Sequence, residues 1–469
     1  MKRLVVIGGG ISGLCAAHEA VHRAAGLPGG LDVWVLEAAA EIGGKARSVR
    51  QDGWLVEEGP TGYLDNEPEF EALLQRTGVA QHKVVADPAA ARRYLYHGRL
   101  RELKANPLAF AASGILGLGG LLRIAAEPFI APADDAQRRR ESIWQFAARR
   151  LGPQAADRLI APMVLGVFAG DARALSLTAC FPKLAALERE HGSLVRGMLA
   201  TRKRRAPGQR FATGPSGKLV SAVDGLQSLA RRLATAGTFE IRARTPVRTI
   251  ERGAPAYRVV LRDGAAIAAD AVVLAAESWA SAELLARLNP DVAAALREIE
   301  TPPVAVVAMG FAPAVAQRFP MGFGVLVPRG QGYRILGCIW DSQLFPGRSP
   351  QGHLLVRAMI GGGIDPQAGR LDDQALVELT RDELSRLFHL TEAPVFTRVA
   401  RWPRAIPQYD LEHPQRVARI ESALRATPGL FVAGNGLHGV AFARSAATGV
   451  RQGRAAVGWL AGAGLASNR

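Results

Sequence analysis

The sequence contains little cysteine and few aromatic residues. Three cysteines occur among 469 residues, Cys15, Cys180 and Cys338, and their spacing matches no C-x-x-C or zinc-binding pattern. A disulfide framework is therefore not expected, and a reducing compartment is favoured. Aromatic residues make up 6% of the chain and do not alternate with basic residues, which argues against nucleic acid as a partner.

Long apolar runs are also scarce. The chain enters a predicted strand almost directly after Met1, so we expect no signal peptide. The longest apolar run, residues 107–122, is shorter than the roughly 20 residues of a transmembrane helix. With residues 124–131 it predicts either two core helices or an apolar surface that docks on a membrane. The basic residues that flank it are Arg99, Arg101, Lys104 and Arg123.

Basic residues outnumber acidic ones, 58 to 42, and give a net charge of +16. They are scattered, which fits acidic substrates or anionic lipid head groups better than nucleic acid. The densest run, residues 202–205, precedes Pro207 and Gly208 and predicts a solvated loop or a lipid contact. With 48% hydrophobic residues, the chain has enough length and apolar content for two or three packed subdomains.

The first 40 residues carry a glycine motif of the kind that binds a dinucleotide. An apolar strand leads into G-x-G-x-x-G at residues 8–13, a predicted helix covers residues 14–25, and a second strand ends at Glu37. Such a turn directs backbone N–H groups at a pyrophosphate, and the acid can bond a ribose hydroxyl. The predicted cofactor contacts in this segment are Gly8, Gly10, Ile11, Ser12, Gly13 and Glu37.

Further glycine-rich segments favour FAD over a nicotinamide dinucleotide. Residues 42–48 (IGGKARS) add two glycines and two cations, and residues 430–439 (LFVAGNGLHG) form a second strand and turn before a predicted helix over residues 440–458. Together with the first motif, they resemble the FAD-binding segments of the amine oxidase and phytoene desaturase superfamily. Because no cysteine lies near the second turn, we expect one noncovalent FAD per chain. Further predicted contacts are Gly43, Gly44, Lys45, Arg47, Gly59, Pro60, Val247, Gly434, Asn435, Gly439 and Val440.

The middle of the chain carries more specific motifs, including GVFAGD at residues 166–171, GFGVLVP at 322–328 and IPQY at 406–409. In this order they resemble the FAD-dependent protoporphyrinogen and coproporphyrinogen oxidases. The resemblance implies oxidation of a porphyrinogen in heme biosynthesis, with FAD accepting hydride and oxygen regenerating it. It also implies substrate contacts, among them an arginine whose guanidinium suits a propionate. The substrate contacts are Arg93, Gly166, Phe323, Gly324 and Leu326; no catalytic side chain and no metal ligand are assigned.

Two places depart from this family's pattern. Thr61 stands where some relatives carry an arginine, and Arg444 and Ser445 stand where relatives usually carry an Asp-Cys pair. We therefore expect propionate recognition near Thr61, and flavin contacts or helix capping near Arg444, to differ from those of the family.

The order of these segments predicts an α/β chain, α+β overall, with a discontinuous Rossmann-like FAD-binding domain. The parts of this domain are residues 1–85, 207–280 and 410–469. We expect residues 92–206 to form a mainly helical, membrane-facing domain for substrate access. Residues 281–409 are expected to form a β-sheet substrate domain, and a helix is predicted over residues 221–233.

The sequence leaves the substrate open. Protoporphyrinogen IX is favoured, with coproporphyrinogen III, an amine or a carotenoid as alternatives, and a noncatalytic porphyrin carrier as a further one. We expect a cytoplasmic protein attached peripherally to the inner face of the cell membrane. A homodimer and handover of the product to a ferrochelatase are further expectations.

Overall fold

The computed structural model describes residues 1–203 and 217–466. The side chains of the basic run at 202–205, and the loop predicted around Pro207 and Gly208, lie outside the described residues. The predicted domain boundary between residues 206 and 207 lies outside them as well. The described residues form five sheets, with most of the helices placed between strands of different sheets.

The described residues contain runs of strands, such as the one over residues 240–274, and a run of helices over residues 107–203. The strands are β1 Lys2–Ile7, β2 Leu31–Leu36, β3 Ser48–Gln51, β4 Trp54–Glu57, β5 Tyr63–Leu64, β6 Lys83–Val85, β7 Arg93–Tyr96, β8 Leu100–Glu102, β9 Leu219–Ala222, β10 Glu240–Arg242, β11 Val247–Arg252, β12 Tyr257–Leu261, β13 Ala266–Ala269, β14 Ala271–Leu274, β15 Val304–Phe311, β16 Gly324–Leu326, β17 Ile335–Ile339, β18 Leu354–Gly361, β19 Phe396–Trp402 and β20 Leu430–Val432. The helices are α1 Ile11–Arg23, α2 Pro68–Arg76, α3 Pro107–Ala111, α4 Leu118–Ala125, α5 Asp135–Arg140, α6 Ile143–Leu151, α7 Pro153–Ala155, α8 Ala161–Phe168, α9 Leu177–Cys180, α10 Pro182–His191, α11 Leu194–Lys203, α12 Gln227–Ala236, α13 Ser278–Leu285, α14 Pro290–Arg297, α15 Pro313–Ala316, α16 Asp341–Leu344, α17 Asp373–Phe388, α18 His413–Leu424 and α19 Phe442–Ala466.

A parallel sheet of five strands begins the chain. Its order is β10-β2-β1-β14-β20, so it combines segments from both ends and from the middle of the sequence. Leu4, Val5 and Val6 of β1 are fully buried, as strands covered on both faces require. Because all five strands run the same way, their carboxyl ends meet at one edge of the sheet. The glycine turns that follow β1 and β20 therefore lie at the same edge.

The first and last helices of the chain pack tightly against each other. A Cβ at Gly449 of α19 would lie 2.0 Å from the carbonyl oxygen of Ser12, and one at Gly453 would lie 2.3 Å from that of Ala16. Both positions therefore need glycine for α19 to approach α1. This contact holds the turn before α19 beside the turn before α1.

One helix begins later than predicted, and two helices near the predicted boundary at residue 280 pack on the parallel sheet. Leu285 of α13 and Leu296 of α14 share a buried cluster with Ile7 of β1, because the apolar faces of these helices cover the sheet. The helix predicted over residues 221–233 begins only at Gln227, because residues 219–222 form β9 and Gly225 turns the chain with a φ of 89°.

The second large sheet has seven strands in the order β19-β15-β18-β17-β16-β7-β8. Strands β7 and β8 lie at the start of the segment 92–206, which was expected to be mainly helical, and helices α3 to α11 follow them. Residues 93–96 alternate between the two faces of the sheet, so their period is that of a strand. One face of the sheet packs against α17 through a buried cluster that contains Val307, Val325 and Ala358.

Helices α3 to α11 lie between β8 and β9 and are held together by buried charged residues. Arg150 donates through Nε to Glu127 at 2.8 Å, and Arg149 donates to Glu141 at 2.8 Å and Glu188 at 2.7 Å. Glu127, Arg150 and Glu188 are fully buried. Removal of one partner from such a pair is expected to cost about 3–5 kcal/mol, because the other charge stays buried.

The outer side of these helices is apolar and exposed. Leu108, Leu118, Leu122 and Phe129 are each 72–84% exposed, and α3 and α4 contain no fully buried residue. We call these four side chains the apolar surface. Among the described helices, none is both long enough and apolar enough to cross a membrane.

Candidate functional site

The carboxyl edge of the parallel sheet positions the predicted acid. The carboxylate of Glu37, at the end of β2, accepts hydrogen bonds from the Gly9 N–H and the Ala39 N–H, both at 2.7 Å. The Gly43 N–H donates to the Gly9 carbonyl at 2.9 Å, so the Gly43-Gly44 turn lies beside the first glycine turn. The structure therefore brings Gly8, Gly10, Glu37, Gly43 and Gly44 together.

The amino end of α1 is open to an anion. Gly10 is its N-cap residue, no side chain caps the helix, and its first turn contains no acid. A Cβ at Gly10 would meet only the Cα of Gly44, at 3.8 Å. Ser12 has another role, because its hydroxyl donates to the Ser445 carbonyl of α19 at 2.8 Å. Ile11 packs into the buried cluster around Phe70.

The carboxyl-terminal glycine turn faces this helix. The Gly434 N–H donates to the Thr448 hydroxyl at 3.1 Å, and the Asn435 carbonyl accepts from the Tyr409 hydroxyl. Gly439 adopts a φ of 85°, and Val440 packs against the helices between β8 and β9. The predicted residues of this turn therefore border both the parallel sheet and the inserted helices.

Arg444 lies at one of the positions that depart from the family pattern. Its Nε donates to Glu67 at 3.2 Å, and a Cβ at Gly439 would lie 1.9 Å from Arg444 Cδ. The Ser445 carbonyl accepts from the hydroxyls of Ser12 and Thr448, and the Ser445 N–H donates to the Ala441 carbonyl. The departure thus introduces an ion pair at the base of the turn.

The predicted basic residues connect the site to the second sheet. Lys45 Nζ donates to Glu277 at 2.7 Å and to the Ala405 carbonyl. Arg47 pairs with Glu58 and lies over the ring of Trp402, 4.9 Å from its centroid. Gly59 and Pro60 follow directly after Glu58, and a Cβ at Gly59 would lie 1.9 Å from the Lys45 carbonyl oxygen.

Val247 lies at the far end of the cofactor edge. It begins β11, two residues after Thr245, whose N–H donates to the Glu37 carbonyl at 2.8 Å. Its side chain is partly buried against the cluster around Val5 and Ile7. Val247 therefore lies close to the predicted ribose contact and away from the turn before α19.

Polar atoms without partners supply an independent test of whether a cofactor fits this edge. Among the described residues, the Ser278 hydroxyl and the Trp279 indole N–H are buried and have no hydrogen-bond partner. Ser278 lies against Gly436, since a Cβ on that glycine would be 3.2 Å from Ser278 Cβ. Buried polar atoms normally have partners. These two donors, together with the uncapped α1, suit a polar dinucleotide such as FAD.

Ser278 and Trp279 were not predicted from the sequence. They stand four and five residues after the end of β14, whose carboxyl end lies at the cofactor edge. The apolar run of β14 followed by Glu-Ser-Trp was the available signal, because polar residues that follow a parallel strand lie at the ligand-binding edge.

Four of the five predicted substrate residues, Arg93, Gly166, Gly324 and Leu326, meet at one face of the seven-stranded sheet. In the parallel pairing of β7 with β16, Arg93 lies opposite Gly324 and Leu95 opposite Leu326. Successive side chains alternate between faces, so these residues share the face away from α17. Gly166 of α8 packs onto it, since a Cβ there would lie 2.5 Å from Leu326 Cδ2.

Arg93 lies at the edge of this apolar face. It has no ion pair within the described ranges, and its guanidinium lies over the ring of Phe323, 5.3 Å from the centroid. The side chain of Arg93 is exposed to solvent, but the surrounding protein partly desolvates its guanidinium and lowers the pKa of Arg93. An arginine in this position can bind a carboxylate of a largely apolar ligand.

A buried arginine that sequence reasoning missed connects the two sheets. Arg357 of β18 donates to the Gly59 carbonyl at 2.6 Å, to Asp341 at 2.9 Å and to the Thr61 hydroxyl. The hydroxyl of Thr61 is therefore engaged by the protein itself. A single arginine within the apolar run LLVRAMIG of β18 was the signal that could have found it.

The three cysteines are free thiols. Burial raises the pKa of Cys180 and of Cys338 to about 12 and raises that of Cys15 further. Within residues 1–203 and 217–466, no group of His, Cys, Asp and Glu side chains is placed to hold a metal ion.

This fold, with a glycine-lined dinucleotide edge facing an apolar sheet, is that of a flavin-dependent oxidoreductase. The chain belongs to the family of flavin-containing amine oxidoreductases, whose profile matches residues 11–458.

Individual relatives narrow the comparison. The chain is 30% identical to coproporphyrinogen III oxidase of Bacillus subtilis over 97% of both chains. It is 31% identical to the chloroplastic protoporphyrinogen oxidase of rice, over 94% of this chain and 85% of that one. A crystal structure from Exiguobacterium sp. 255-15, provisionally described as a protoporphyrinogen oxidase, superposes with a TM-score of 0.80 at 26% identity, over 97% and 98% of the two chains.

These findings confirm the family resemblance, the mixed α/β fold and FAD as the cofactor. The individual contact residues and the domain boundaries stay predictions.

Proposed function

We propose that this chain oxidises protoporphyrinogen IX to protoporphyrin IX, with oxygen as the final acceptor, in heme biosynthesis. FAD, when bound, supplies the hydride acceptor. The relatives at about 30% identity, which are porphyrinogen oxidases over nearly their whole length, support the substrate class. The observation that carries the proposal is Arg93, which lies at the edge of an apolar sheet face and, within the described ranges, has no carboxylate partner. The face stays nearly flat because Gly166, which packs on it, has no side chain.

The chain's own residues bind and orient the substrate. The guanidinium of Arg93 holds a propionate, and Phe323, Leu326 and the glycines Gly166 and Gly324 provide an apolar, flat surface for the macrocycle. These side chains also exclude water from the reacting carbon. No side chain is assigned an acid or base role in the reaction.

The cofactor contacts are proposed as predicted. The amides at Gly10–Gly13 hold the pyrophosphate, Glu37 bonds the ribose, and the turn from Gly434 to Val440 contacts the flavin ring. Lys45, Arg47, Gly59 and Pro60 border the space between this ring and the second sheet. Val247 is kept as a contact near the ribose.

Coproporphyrinogen III is the second candidate substrate. The relative from Bacillus subtilis that carries this activity in its name matches 97% of both chains. Coproporphyrinogen carries two more carboxylates than protoporphyrinogen, and any of several scattered arginines is proposed to bind them.

The first experiment compares both substrates with purified, yellow holoprotein in air, with porphyrin fluorescence as the readout. We expect fluorescence from at least one porphyrinogen, and the ratio of kcat/KM identifies the preferred one. Yellow protein that oxidises neither would favour an amine or a carotenoid substrate. Colourless protein that still binds porphyrin would favour the noncatalytic carrier.

Arg93→Ala tests the proposed carboxylate contact. We expect KM to rise about 10-fold or more while FAD content stays unchanged, because a charge-assisted hydrogen bond contributes about 1.5–3 kcal/mol. Arg92→Ala is the matched control, because Arg92 is the neighbouring arginine, is also exposed and is not a predicted substrate contact. An equal KM in Arg93→Ala and wild type would remove Arg93 from the site.

Peripheral membrane association is part of the proposal. The apolar surface and the exposed Arg99 and Lys104 beside it suit docking on the inner face of the cell membrane from the cytoplasm. A homodimer and product handover to a ferrochelatase stay predictions.

A further inference from the structure

The turn that is proposed to contact the flavin ring is held from behind by two aromatic side chains. The Tyr409 hydroxyl donates to the Asn435 carbonyl, and His413 Nε2 bonds the Leu437 carbonyl at 3.0 Å. The two rings stack on each other, with centroids 3.9 Å apart and an interplanar angle of 13°. Tyr409 and His413 are each 1% exposed.

These two bonds fix alternate carbonyl groups of one short turn. Asn435 and Leu437 flank Gly436, and a turn rich in glycine has many accessible backbone conformations. A carbonyl that is held on one side orients the neighbouring N–H groups toward the other side. The other side of this turn is the cofactor edge, where Ser278 lies against Gly436.

The same pair is anchored to the inserted helices. The Tyr409 carbonyl accepts from the Ser176 N–H at 2.8 Å, and the neighbouring Gln408 donates to the Phe168 carbonyl at 2.9 Å. Phe168 and Ser176 lie at the carboxyl end of α8 and the N-cap of α9. The position of the rings is therefore set by elements that also border the substrate face.

The surroundings of His413 favour its neutral imidazole. Burial lowers its pKa to about 4, with Arg416 and His438 adding to the effect, while the bond to Leu437 and the charge of Asp410 oppose it. Its Nδ1 is buried without a partner. The proton of the neutral ring therefore lies on Nε2, where it is donated to the Leu437 carbonyl.

We propose that Tyr409 and His413 are positioning residues for the flavin ring, which act by holding the Asn435 and Leu437 carbonyls. The proposal rests on the proposed placement of FAD at this turn. It assigns a function to Tyr409 of the IPQY motif, and it adds His413, which carries no motif of its own. Neither side chain touches the substrate.

Tyr409→Phe is the main test, because it keeps the ring and removes one donor. In holoprotein diluted into FAD-free buffer, we expect FAD to dissociate about 10-fold faster than from wild type, which corresponds to about 1.4 kcal/mol. The visible flavin absorption band should also shift, since the polar groups around the ring change orientation. Dissociation at the wild-type rate with an unchanged spectrum would overturn the proposal.

Tyr257→Phe is the matched control. Tyr257 is fully buried, and its hydroxyl donates to the Pro428 carbonyl at 2.7 Å, before β20 and away from the turn. We expect this variant to lose thermal stability comparably but to keep the flavin spectrum and the dissociation rate. Equal FAD loss in both tyrosine variants would reduce Tyr409 to a general structural role and overturn the proposal.

The histidine is tested by a pair of variants. His413→Gln can keep an N–H near the Leu437 carbonyl, whereas His413→Leu cannot. We expect FAD to dissociate faster from the leucine variant than from the glutamine variant, and equal rates would overturn the role of the Nε2 bond. Gly10→Val separates this proposal from the site itself: FAD retention in that variant would refute the cofactor edge, whatever Tyr409 does.

Discussion

Glycines at the candidate cofactor edge serve two different purposes. A Cβ at Gly13 would lie 1.9 Å from the carbonyl oxygen of Gly8, so this position needs glycine for the helix to approach the strand. At Gly10 the nearest atom would be the Cα of Gly44, 3.8 Å away, and the backbone φ is −73°. A Cβ at Gly10 therefore meets no close protein atom, and the space beside it is the proposed position of the cofactor pyrophosphate.

Gly10→Val should lower the FAD content of the purified protein at least 10-fold. The valine side chain occupies the space in which the pyrophosphate approaches the amides of α1. The apoprotein should keep its melting temperature to within about 2 °C, because loss of a glycine N-cap costs only about 1 kcal/mol or less. Flavin absorbance per protein and circular dichroism measure the two outcomes.

The control for this variant is Gly458→Val, since a Cβ at Gly458 of α19 meets no atom within 4 Å. It should retain full FAD. Gly13→Ala should instead lose both FAD and stability. Full FAD occupancy in Gly10→Val would contradict the cofactor assignment.

At the level of elements, the sequence was most informative where one local signal decided the structure. The glycine motif with its apolar strand predicted β1, α1 and β2. Strands β7 and β8 were not predicted: β7 joins the second sheet through β16, which lies more than 200 residues away in the sequence, and β8 pairs with β7. Pairing across such distances leaves no local signal.

The residues of the candidate site also divide into those with a local sequence signal and those without one. Gly8–Gly13 and Glu37 are contiguous with the motif that defines them, and they were predicted. Ser278, Arg357 and His413 come to the site through packing between distant segments. Ser278 and Arg357 carry only weak local signals and His413 carries none, so the fold is needed to show that they lie at the site.

The apolar surface on α3 and α4 gives a prediction at this scale. Leu118→Gln with Leu122→Gln should weaken binding to anionic lipid vesicles about 10-fold, because two exposed leucines lose their transfer into the interface. The melting temperature should not change, since these side chains are 81% and 72% exposed. Vesicle co-sedimentation measures binding.

Val395→Gln is the matched control, because Val395 is a comparably exposed apolar side chain, at 60%, outside the apolar surface. It should bind vesicles as wild type does. Vesicle binding that is equal in all three proteins would place the membrane contact elsewhere or remove it. Added salt should weaken the wild-type interaction, since the surrounding cations act through screened charge.

At the scale of the whole molecule, the cofactor edge joins segments that are far apart in the chain. The first strand, the β14 segment and the turn before the last helix meet there, and α1 packs on α19. A ligand bound at this edge contacts the native arrangement only, because the unfolded chain does not bring these segments together. Its binding free energy therefore adds to the stability of the whole parallel-sheet region.

Excess FAD should raise the melting temperature of the deflavinated protein. At a concentration 100 times the Kd, the native state gains about 2.7 kcal/mol, which for a chain of this size corresponds to a rise of about 2–5 °C. The transition should stay single when followed by circular dichroism and by tryptophan fluorescence, because the proposed FAD contacts come from both ends of the chain. Gly10→Val should show no rise at the same FAD concentration. An equal rise in that variant would mean that FAD binds elsewhere. The edge at which the two ends of the chain meet would then not be the FAD site.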